Sequence, residues 1–343
     1  MKFDFCIGNP PYQDEKKSDS PRDLPVYDKF MNEAYKISDK VMLITPARFL
    51  FNAGFTSKEW NEKMLNDEHL KVLSFEAKSA DVFPTTQIPG GVAITYRDIN
   101  SIFGKIGEFI PFPELLSIVT KSKSENVMAD LISPRDLFHY SDALFDEFPQ
   151  KKEINNCNSV VNSNAFEKFE DIFTESPTKK DDICFLGRYH NKRVNRYILN
   201  KYIENNPYIS QNKVIFAQTN GGAGTITENG KAAAVMGEPT VSYTMSGFTD
   251  SFICIGLGDN KLSAENCAKY IKTKFARALL STLKRTGSIT KDKWINVPLQ
   301  DFTSSSDIDW TKSISEIDKQ LYKKYRLSAE EINFIETHVK EMA

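Results

Sequence analysis

The first 110 residues combine short apolar runs with one helical repeat. Four runs rich in β-branched or aromatic residues predict strands, at residues 3–7, 41–45, 71–76 and 92–96. Between the first two, residues 25–38 place apolar side chains at the spacing of a helix. Prolines and glycines separate the last two runs and favour a hairpin there. The order strand, helix, strand and hairpin predicts an α/β sheet with an antiparallel edge.

The rest of the chain has a different pattern. Residues 111–160 mix prolines with short helical stretches, which predicts a connecting region. The next segment combines two predicted helices, at about 191–205 and 263–284, with β-like runs at 183–186, 213–217, 241–243 and 252–255. The end of the chain predicts a helical tail, whose last helix begins at Ser328 with Glu331 completing a capping box. We therefore expect four segments, 1–110, 111–160, 161–300 and 301–343.

Composition and charge exclude several classes of protein. The chain has 343 residues and a net charge of −2, with apolar and charged fractions typical of globular proteins. No run approaches the roughly 20 apolar residues of a membrane span, and the first residues are too polar for a signal peptide. A cytoplasmic protein without a membrane partner is therefore predicted. Five scattered cysteines without a CxxC spacing are expected to be reduced thiols, and no metal site is predicted.

Positive charge is concentrated in two segments of the second half, 186–213 and 261–293. Two basic segments in a nearly neutral chain favour a face for a polyanion, although solvated surface equally explains any single lysine or arginine. The glycine-rich loop after Thr219 could bring backbone N–H groups close to a phosphate. The candidates for DNA contacts are Arg188, Lys192, Arg193, Arg196, Asn220, Lys284 and Arg285.

The tetrapeptide Asn9-Pro10-Pro11-Tyr12 carries the clearest chemical signal. It follows the first predicted strand, and ligand chemistry in α/β sheets lies at the carboxyl ends of strands. The amino group of adenine is a weak nucleophile because its lone pair is delocalised into the ring. The side-chain carbonyl of Asn9 and the backbone carbonyl of Pro10 are two acceptors that could hold both N–H donors and favour the nucleophilic form, on a loop stiffened by two prolines.

Tyr12 adds an aromatic face on which a base can stack. The base must first leave the duplex, because its amino group is unreachable while paired. A plain Pro-Pro turn between a strand and a helix is the alternative explanation of the tetrapeptide.

In these residues the chain resembles the γ-type N6-adenine DNA methyltransferases of restriction–modification systems. The segments VMLITPARFL at 41–50 and DVFPTTQIPGGVAITYR at 81–97 resemble further blocks of that family. The resemblance implies that Asn9 and Pro10 bind the target amino group, that Tyr12 stacks on one face of the base, and that Phe83 contacts the other face. An ordinary core aromatic is the alternative for Phe83. Three later segments are similar to the family's target-recognition domain, at 187–198, 213–224 and 270–302.

The resemblance also implies a fold and an activity. The fold is α/β, with a partial Rossmann-like methyltransferase sheet followed by an α+β target-recognition domain and a helical C-terminal tail. The activity is site-specific methyl transfer from S-adenosyl-L-methionine to a flipped adenine in double-stranded DNA. Adenine N6 rather than cytosine N4 is inferred from the NPPY form of the loop.

The cofactor pocket is the part of the family pattern that the sequence lacks. In the γ order, a glycine-rich turn and an acidic strand end precede the NPPY loop by several tens of residues, whereas Asn9 is close to the start of this sequence. The cofactor-binding residues are therefore unknown. A second subunit with the cofactor half, a truncated gene and a permuted order are three explanations. A permuted order would use FICIGLGD at 252–259, where a plain tight turn is the alternative.

Two functions stay open at this point. One is an adenine methyltransferase that needs a partner for its cofactor half. The other is a catalytically inactive DNA-recognition subunit, or a truncated remnant of such an enzyme. Methylation of RNA or protein amino groups is a third, which the resemblance to a DNA-recognition domain disfavours. The sequence shows no nuclease motif and no helicase P-loop, so cleavage of DNA by this chain alone is not expected.

Overall fold

The structure is a computed structural model that describes residues 3–14, 24–52, 56–86, 88, 90–219, 226, 232–284 and 287–342. The chain divides into two compact units, Met1–Pro113 and Glu114–Ala343. The connecting region, recognition domain and helical tail of the sequence analysis thus lie together in the second unit. Both units mix helices with strands. Among the described residues, no helix has both the length and the apolar character to cross a bilayer.

The first unit is built on a four-stranded sheet in the order β1-β2-β4-β3. Its strands are β1 (Cys6–Gly8), β2 (Lys40–Pro46), β3 (Leu70–Glu76) and β4 (Val92–Asp98). Strands β1 and β2 are parallel, and α1 (Tyr27–Ile37) provides the crossover that parallel neighbours need. Strand β4 is antiparallel to both β2 and β3. The four predicted strands, the helix and the antiparallel edge are therefore confirmed, although β1 begins three residues later than predicted.

One face of this sheet forms the core of the first unit. Leu43 of β2 packs there with Met31 of α1 and with Trp60 of α2 (Lys58–Leu65). The Trp60 ring lies 5.4 Å from the ring of Phe49, centroid to centroid, and its indole N–H donates to Asn32 over 3.1 Å. The helices therefore cover this face completely.

The opposite face of the sheet is only partly covered and combines exposed apolar side chains on β1 with charged ones such as Lys71, which is opposite Tyr96. Cross-strand register places the side chains of Ile7, Met42 and Tyr96 in one row across β1, β2 and β4. Ile7 is 72% exposed, and the 42% exposed ring of Phe5 stacks on Tyr96 at a centroid distance of 6.1 Å. We call this surface the open face.

The second unit contains two three-stranded sheets, in the orders β10-β7-β8 and β6-β5-β9. The strands are β5 (Ile183–Tyr189), β6 (Lys192–Ile198), β7 (Lys213–Ala217), β8 (Thr240–Ser242), β9 (Ser246–Phe248) and β10 (Phe252–Gly256). The helices are α3 (Pro113–Ser122), α4 (Asp142–Glu147), α5 (Gln150–Ile154), α6 (Ala165–Lys168), α7 (Lys261–Lys272), α8 (Lys274–Leu283), α9 (Ile314–Lys324) and α10 (Ala329–His338). Short 3-10 helices lie at Ala47–Phe51 and Ser79–Asp81 in the first unit. In the second unit they lie at Met128–Leu131, Asn200–Tyr202, Pro207–Ser210 and Lys291–Trp294. The predicted capping box at Ser328 and Glu331 is confirmed, and the five cysteines are free thiols as predicted.

The predicted helix at 191–205 is wrong. Residues 192–198 form strand β6, which pairs with β5 in an antiparallel hairpin. The two loop residues, His190 and Asn191, have φ angles of +48° and +63°, the signature of a type I′ turn. A two-residue turn of this type directs the chain back along β5, so pairing with β5 overrides the helical spacing of the side chains.

The predicted helix at 263–284 is two helices, α7 and α8, which meet at Thr273. The Thr273 hydroxyl oxygen accepts a hydrogen bond from the backbone N–H of Ala276 over 3.1 Å. The buried carboxylate of Asp318 in α9 accepts two more, from the N–H groups of Lys274 and Phe275. Side chains from two elements therefore satisfy the start of α8. The side chains that recur at helical spacing along this segment are buried, at Cys267, Tyr270, Ile271, Phe275, Ala278, Leu279 and Thr282.

Lys284, a candidate for a DNA contact, is buried rather than exposed. The residue is 0% exposed, and its Nζ has no hydrogen-bond partner among the described residues. Burial lowers the pKa of Lys284 from 10.5 to about 8. Lys213 is also fully buried, but its Nζ donates to the hydroxyl of Ser246 over 2.7 Å and to the carbonyl of Gln211 over 2.8 Å. The two lysines thus differ in hydrogen bonding at equal burial.

We predict that Lys284→Met raises the free energy of unfolding at pH 7. The unfolded chain binds more protons than the folded chain between pH 8 and 10.5, so the cost of burying this lysine is complete below pH 8 and declines as pH rises through that window. The gain from Lys284→Met should therefore shrink from pH 7 to pH 10, as measured by urea unfolding.

The matched control is Lys213→Met, which removes a buried lysine that has hydrogen-bond partners. This variant should lose stability at pH 7, because the Ser246 hydroxyl and the Gln211 carbonyl lose their donor. A loss of stability in Lys284→Met as large as that in Lys213→Met would contradict the assignment of Lys284 as an unpaired buried cation.

Candidate active site

The NPPY loop begins where β1 leaves the sheet. Gly8, the last residue of β1, pairs with Leu43 of β2, so the sheet fixes the point at which Asn9 departs. At the other end of the loop, the backbone N–H of Val26 donates to the carbonyl of Tyr12 over 3.2 Å. The loop is therefore held at both ends, at the carboxyl end of a parallel strand.

Asn9 presents its side chain to solvent. The residue is exposed, and its carboxamide has no hydrogen bond to any residue that the structure describes. Pro10 is half-buried beside it and Pro11 is exposed. Because the two prolines fix their φ angles, the Pro10 carbonyl and the Asn9 side chain are offered by a stiff segment. Two acceptors are thus close together in sequence and available to a ligand.

Tyr12 is held by packing rather than by its hydroxyl group. The ring is half-buried and packs against the core of the first unit, as Cys6 also does. Its hydroxyl oxygen is buried and has no hydrogen-bond partner within the described residues. Burial raises the pKa of Tyr12, so the phenol stays neutral at physiological pH.

Phe83 is fixed by the turn that precedes it. Its backbone N–H donates to the carbonyl of Ser79 over 2.7 Å. The Ser79 hydroxyl oxygen accepts from Ile88 over 2.7 Å and donates to the carbonyl of Thr86 over 3.1 Å. Ser79 therefore closes the turn that carries Phe83. The role of Ser79 cannot be recognised from the sequence, because one serine in a polar loop forms no pattern.

The rings of Tyr12 and Phe83 are brought together in this structure. Their centroids lie 6.4 Å apart, and the ring planes are inclined by 69°. A base held between two parallel rings would need the rings about 7 Å apart, twice the usual carbon–carbon contact distance. The observed edge-to-face arrangement offers one stacking face at a time. Contact with both faces of a base requires one ring to turn, and this contact remains a prediction.

The glycine turn at Gly256 and Gly258 does not fit a cofactor site. The backbone N–H of Leu257 donates to the carbonyl of Asn212 over 3.0 Å, and the N–H of Asn212 donates to the carbonyl of Gly258 over 2.8 Å. An added Cβ at Gly256 would lie 2.6 Å from the side-chain oxygen of Gln211. The turn is therefore filled by its own neighbours, as expected for a plain tight turn.

The predicted basic cluster of the second unit is divided between two faces of the β5–β6 hairpin. Arg188 and Arg193 are directly opposite each other across the strands and share one face, whereas Lys192 and Arg196 lie on the other. Arg196 forms an ion pair with Glu175 over 2.5 Å, and Arg193 donates to the Glu238 carbonyl over 3.0 Å.

The exposed members of the cluster are Arg188, Lys192 and Arg193. Asn220 and Arg285 lie outside the described residues. A DNA-contact role for these five residues and for Arg196 stays a prediction, while the buried Lys284 does not offer the exposed charge that such a role needs.

Comparison with known proteins adds three findings. Residues 1–83 match the model of a family described as Eco57I restriction-modification methylase, and this range contains both the NPPY loop and Phe83. A protein of Mycoplasma pneumoniae named "Uncharacterized adenine-specific methylase" is 30% identical over 119 residues, which cover 32% of this chain and 28% of that protein. This chain thus spans less than a third of the length of that relative.

The third finding is a solved structure, that of the type IIG restriction endonuclease BpuSI. It aligns with 92% of this chain and 48% of its own, at 9% identity and a TM-score of 0.33, and so weak a similarity supports no conclusion about fold or activity. The two sequence matches carry more weight, because they agree with each other and with the NPPY loop. The resemblance to an adenine methyltransferase of restriction–modification systems is therefore confirmed for the segment that contains the loop, while the γ-type assignment remains a prediction.

Proposed function

We propose that this chain is a site-specific DNA adenine-N6 methyltransferase of the restriction–modification type and carries the target-base half of the active site. The observation that carries the proposal is the NPPY loop at the end of β1, with an unengaged Asn9 carboxamide and with Tyr12 and Phe83 in ring contact. The match of residues 1–83 to a methylase family supports the same conclusion.

The loop acts on the amino group through two acceptors. The Asn9 side-chain oxygen and the Pro10 backbone oxygen each accept one N–H of the adenine amino group. Two accepted hydrogen bonds draw electron density onto the nitrogen and favour its pyramidal form, in which the lone pair leaves the ring system. The nitrogen is then nucleophilic without a side-chain base. This accounts for a site in which an amide and a carbonyl, rather than a histidine or a carboxylate, are the polar groups.

The aromatic pair holds a base that has left the duplex. A paired adenine directs its amino group into the helix, so extrusion has to precede the reaction and costs a few kcal/mol of stacking and pairing. The Tyr12 ring is fixed by the core and offers a rigid stacking surface in return. Phe83 closes over the other face of the base after its ring turns out of the edge-to-face contact.

The methyl donor that the family implies is S-adenosyl-L-methionine. The described residues contain no turn that fits it at the position the sequence suggested, so no step of the reaction is assigned to a donor site on this chain. We propose that a second subunit or segment supplies the donor half. Its attachment surface is the open face together with the free edge of β1.

Three properties of the open face support this assignment. The solvated face of a sheet with antiparallel strands is normally polar, whereas here the uncovered face holds exposed apolar side chains such as Ile7. Strand β1 has only β2 as a strand neighbour among the described residues, so its other edge can pair with a further strand. The order β1-β2-β4-β3 is compatible with one side of a Rossmann-like methyltransferase sheet that continues beyond β1.

We predict that Asn9→Ala abolishes methylation, lowering the rate by at least about a hundredfold, because removing one preorganised hydrogen-bonding group commonly costs that much. Affinity for DNA should be nearly unchanged. The measurement is transfer of labelled methyl groups to N6 of adenine in the presence of the donor half, with DNA affinity measured in parallel.

The matched control is Asn100→Ala, an exposed asparagine at the end of β4, which should leave the rate unchanged. Asn9→Asp keeps an acceptor oxygen at the same position and should retain more activity than Asn9→Ala. Full activity in Asn9→Ala would refute the role assigned to this side chain.

We predict that Ile7→Lys weakens association with the donor half by at least about tenfold, because it places a charge among the exposed apolar side chains of β1. The substituted side chain is 72% exposed, so the fold of the isolated chain should be retained. Calorimetry with the product of the adjacent gene, and S-adenosyl-L-methionine binding by the mixture, provide the two measurements.

Ile102→Lys is the matched control, since Ile102 is 78% exposed and lies beyond the end of β4. Equal association of both variants would show that the open face is not the attachment surface. If no methylation occurs with or without the neighbouring gene product while DNA binding persists, the chain is instead an inactive DNA-recognition subunit.

A further inference from the structure

A polar cavity of about 410 Å³ lies at the tip of the β5–β6 hairpin, within the second unit. Its volume falls in the range of small-ligand pockets. Side chains from three parts of the unit meet there, namely Glu167 of α6, Arg188 and Asn191 of the hairpin, and Gln218 at the end of β7. Gln218 and Asn191 do not belong to the basic clusters that the sequence indicates.

Hydrogen bonds engage every polar group of Gln218 except its side-chain amide nitrogen. Its backbone N–H donates to Ser251 over 2.9 Å, and its backbone carbonyl accepts from Ile289 over 2.9 Å. The guanidinium of Arg135 donates to its side-chain oxygen over 2.8 Å. Because a guanidinium can only donate, this contact identifies the oxygen and so defines which way the amide lies.

The Gln218 Nε2 group is therefore a donor in a known position. The residue is 5% exposed, and Nε2 is buried without a hydrogen-bond partner among the described residues. A buried N–H group without an acceptor is unfavourable, so a ligand that brings an acceptor into the cavity satisfies an unmet requirement of the fold.

Arg188 provides a second set of donors in the same cavity. Its side chain is exposed and has no hydrogen bond or ion pair with a described residue. The hairpin tip that carries it is anchored on the segment around α6, since the N–H of His190 donates to Glu167 over 2.9 Å and the Tyr189 hydroxyl donates to Glu170 over 2.8 Å. The hairpin tip that carries Arg188 is therefore held in place beside the cavity.

The donors select among the possible partners in DNA. In the major groove guanine presents two acceptors, N7 and O6, whereas adenine presents an acceptor with a donor, thymine one acceptor with a methyl group, and cytosine a donor. A phosphate group also presents acceptors, but the carboxylate of Glu167 lines the cavity and balances the charge of Arg188. A cavity in which a carboxylate offsets the charge of Arg188 favours a neutral base edge over a phosphate.

We propose that this cavity recognises one guanine of the DNA target. The Arg188 guanidinium donates to its O6, and the Gln218 amide nitrogen donates to its N7. The proposal rests on the proposed function, because it takes DNA as the substrate. It assigns Gln218 as a specificity-determining residue and Arg135 as the residue that positions it.

The decisive variant is Gln218→Glu. It keeps the length of the side chain and an oxygen for Arg135, replaces the donor with an acceptor, and adds a negative charge that the Arg135 guanidinium faces. The preference for guanine at one position of the bound sequence should fall roughly tenfold to a hundredfold, the range typical of a lost base contact. Arg188→Gln, on an exposed residue whose replacement does not disturb the core, should weaken preference at the same position.

The experiment is selection of bound duplexes from a randomised library with the full chain, followed by a separate methylation assay on the selected sequence. Replacing the selected guanine with 7-deazaguanine, which lacks the N7 acceptor, should weaken binding by the wild-type chain and have little effect on Gln218→Glu. The control is Lys192→Gln, on the opposite face of the hairpin, which should lower affinity uniformly without changing the selected sequence.

The outcomes separate this proposal from the proposed activity. An unchanged selected sequence in both Gln218→Glu and Arg188→Gln overturns the cavity assignment while methylation by the wild-type chain still supports the enzyme. Loss of the guanine preference in the two variants, with no methylation by the wild-type chain, supports the cavity assignment and refutes the proposed enzyme activity. Failure of the wild-type chain to enrich any sequence overturns the cavity assignment, and methylation of unselected DNA then tests the enzyme independently.

Discussion

The parallel pairing of β1 with β2 is the constraint on which the candidate active site depends. Three residue pairs between these strands determine where the chain leaves the sheet, and Asn9 follows directly. The crossover helix α1 then brings the chain back, and the contact between Val26 and Tyr12 closes the loop at its far end. A short strand can hold a reactive loop in this way because the backbone of the loop has few accessible conformations, since two of its four residues are prolines.

Most of the first unit could be predicted from its sequence, because its strands are apolar runs bounded by turn residues. Asn9, Tyr12 and Phe83 could also be singled out, since their chemistry depends on residue type within a short motif. The strands and helices of the second unit are harder to predict from the sequence. The segment after His190 has helical spacing, and its turn contains neither glycine nor an Asn-Gly pair, so only pairing with β5 reveals a strand. Burial of Lys284 depends on distant segments and leaves no local signal.

Electrostatics in the second unit illustrates why a count of charges is a weak guide to function. Several of its basic side chains are engaged within the fold, such as Arg277, which is 1% exposed and donates to the carbonyl of Ala234. The hairpin sends its charges to opposite faces, so residues adjacent in sequence do not act together. The most specific feature is instead the neutral amide of Gln218. Its oxygen accepts from the Arg135 guanidinium, and its nitrogen has no hydrogen-bond partner among the described residues. Position and hydrogen-bonding capacity matter there more than charge.

The open face has a consequence for how this protein behaves in a cell. Exposed apolar side chains beside a strand edge that has no strand neighbour among the described residues are an arrangement through which proteins aggregate, and Ile7 of β1 and the preceding Phe5 are exposed at such an edge. A chain produced without a covering element would be exposed to self-association and to degradation. Under the proposed division into two halves, balanced synthesis of both would control the amount of active enzyme, since an excess of this half would be removed.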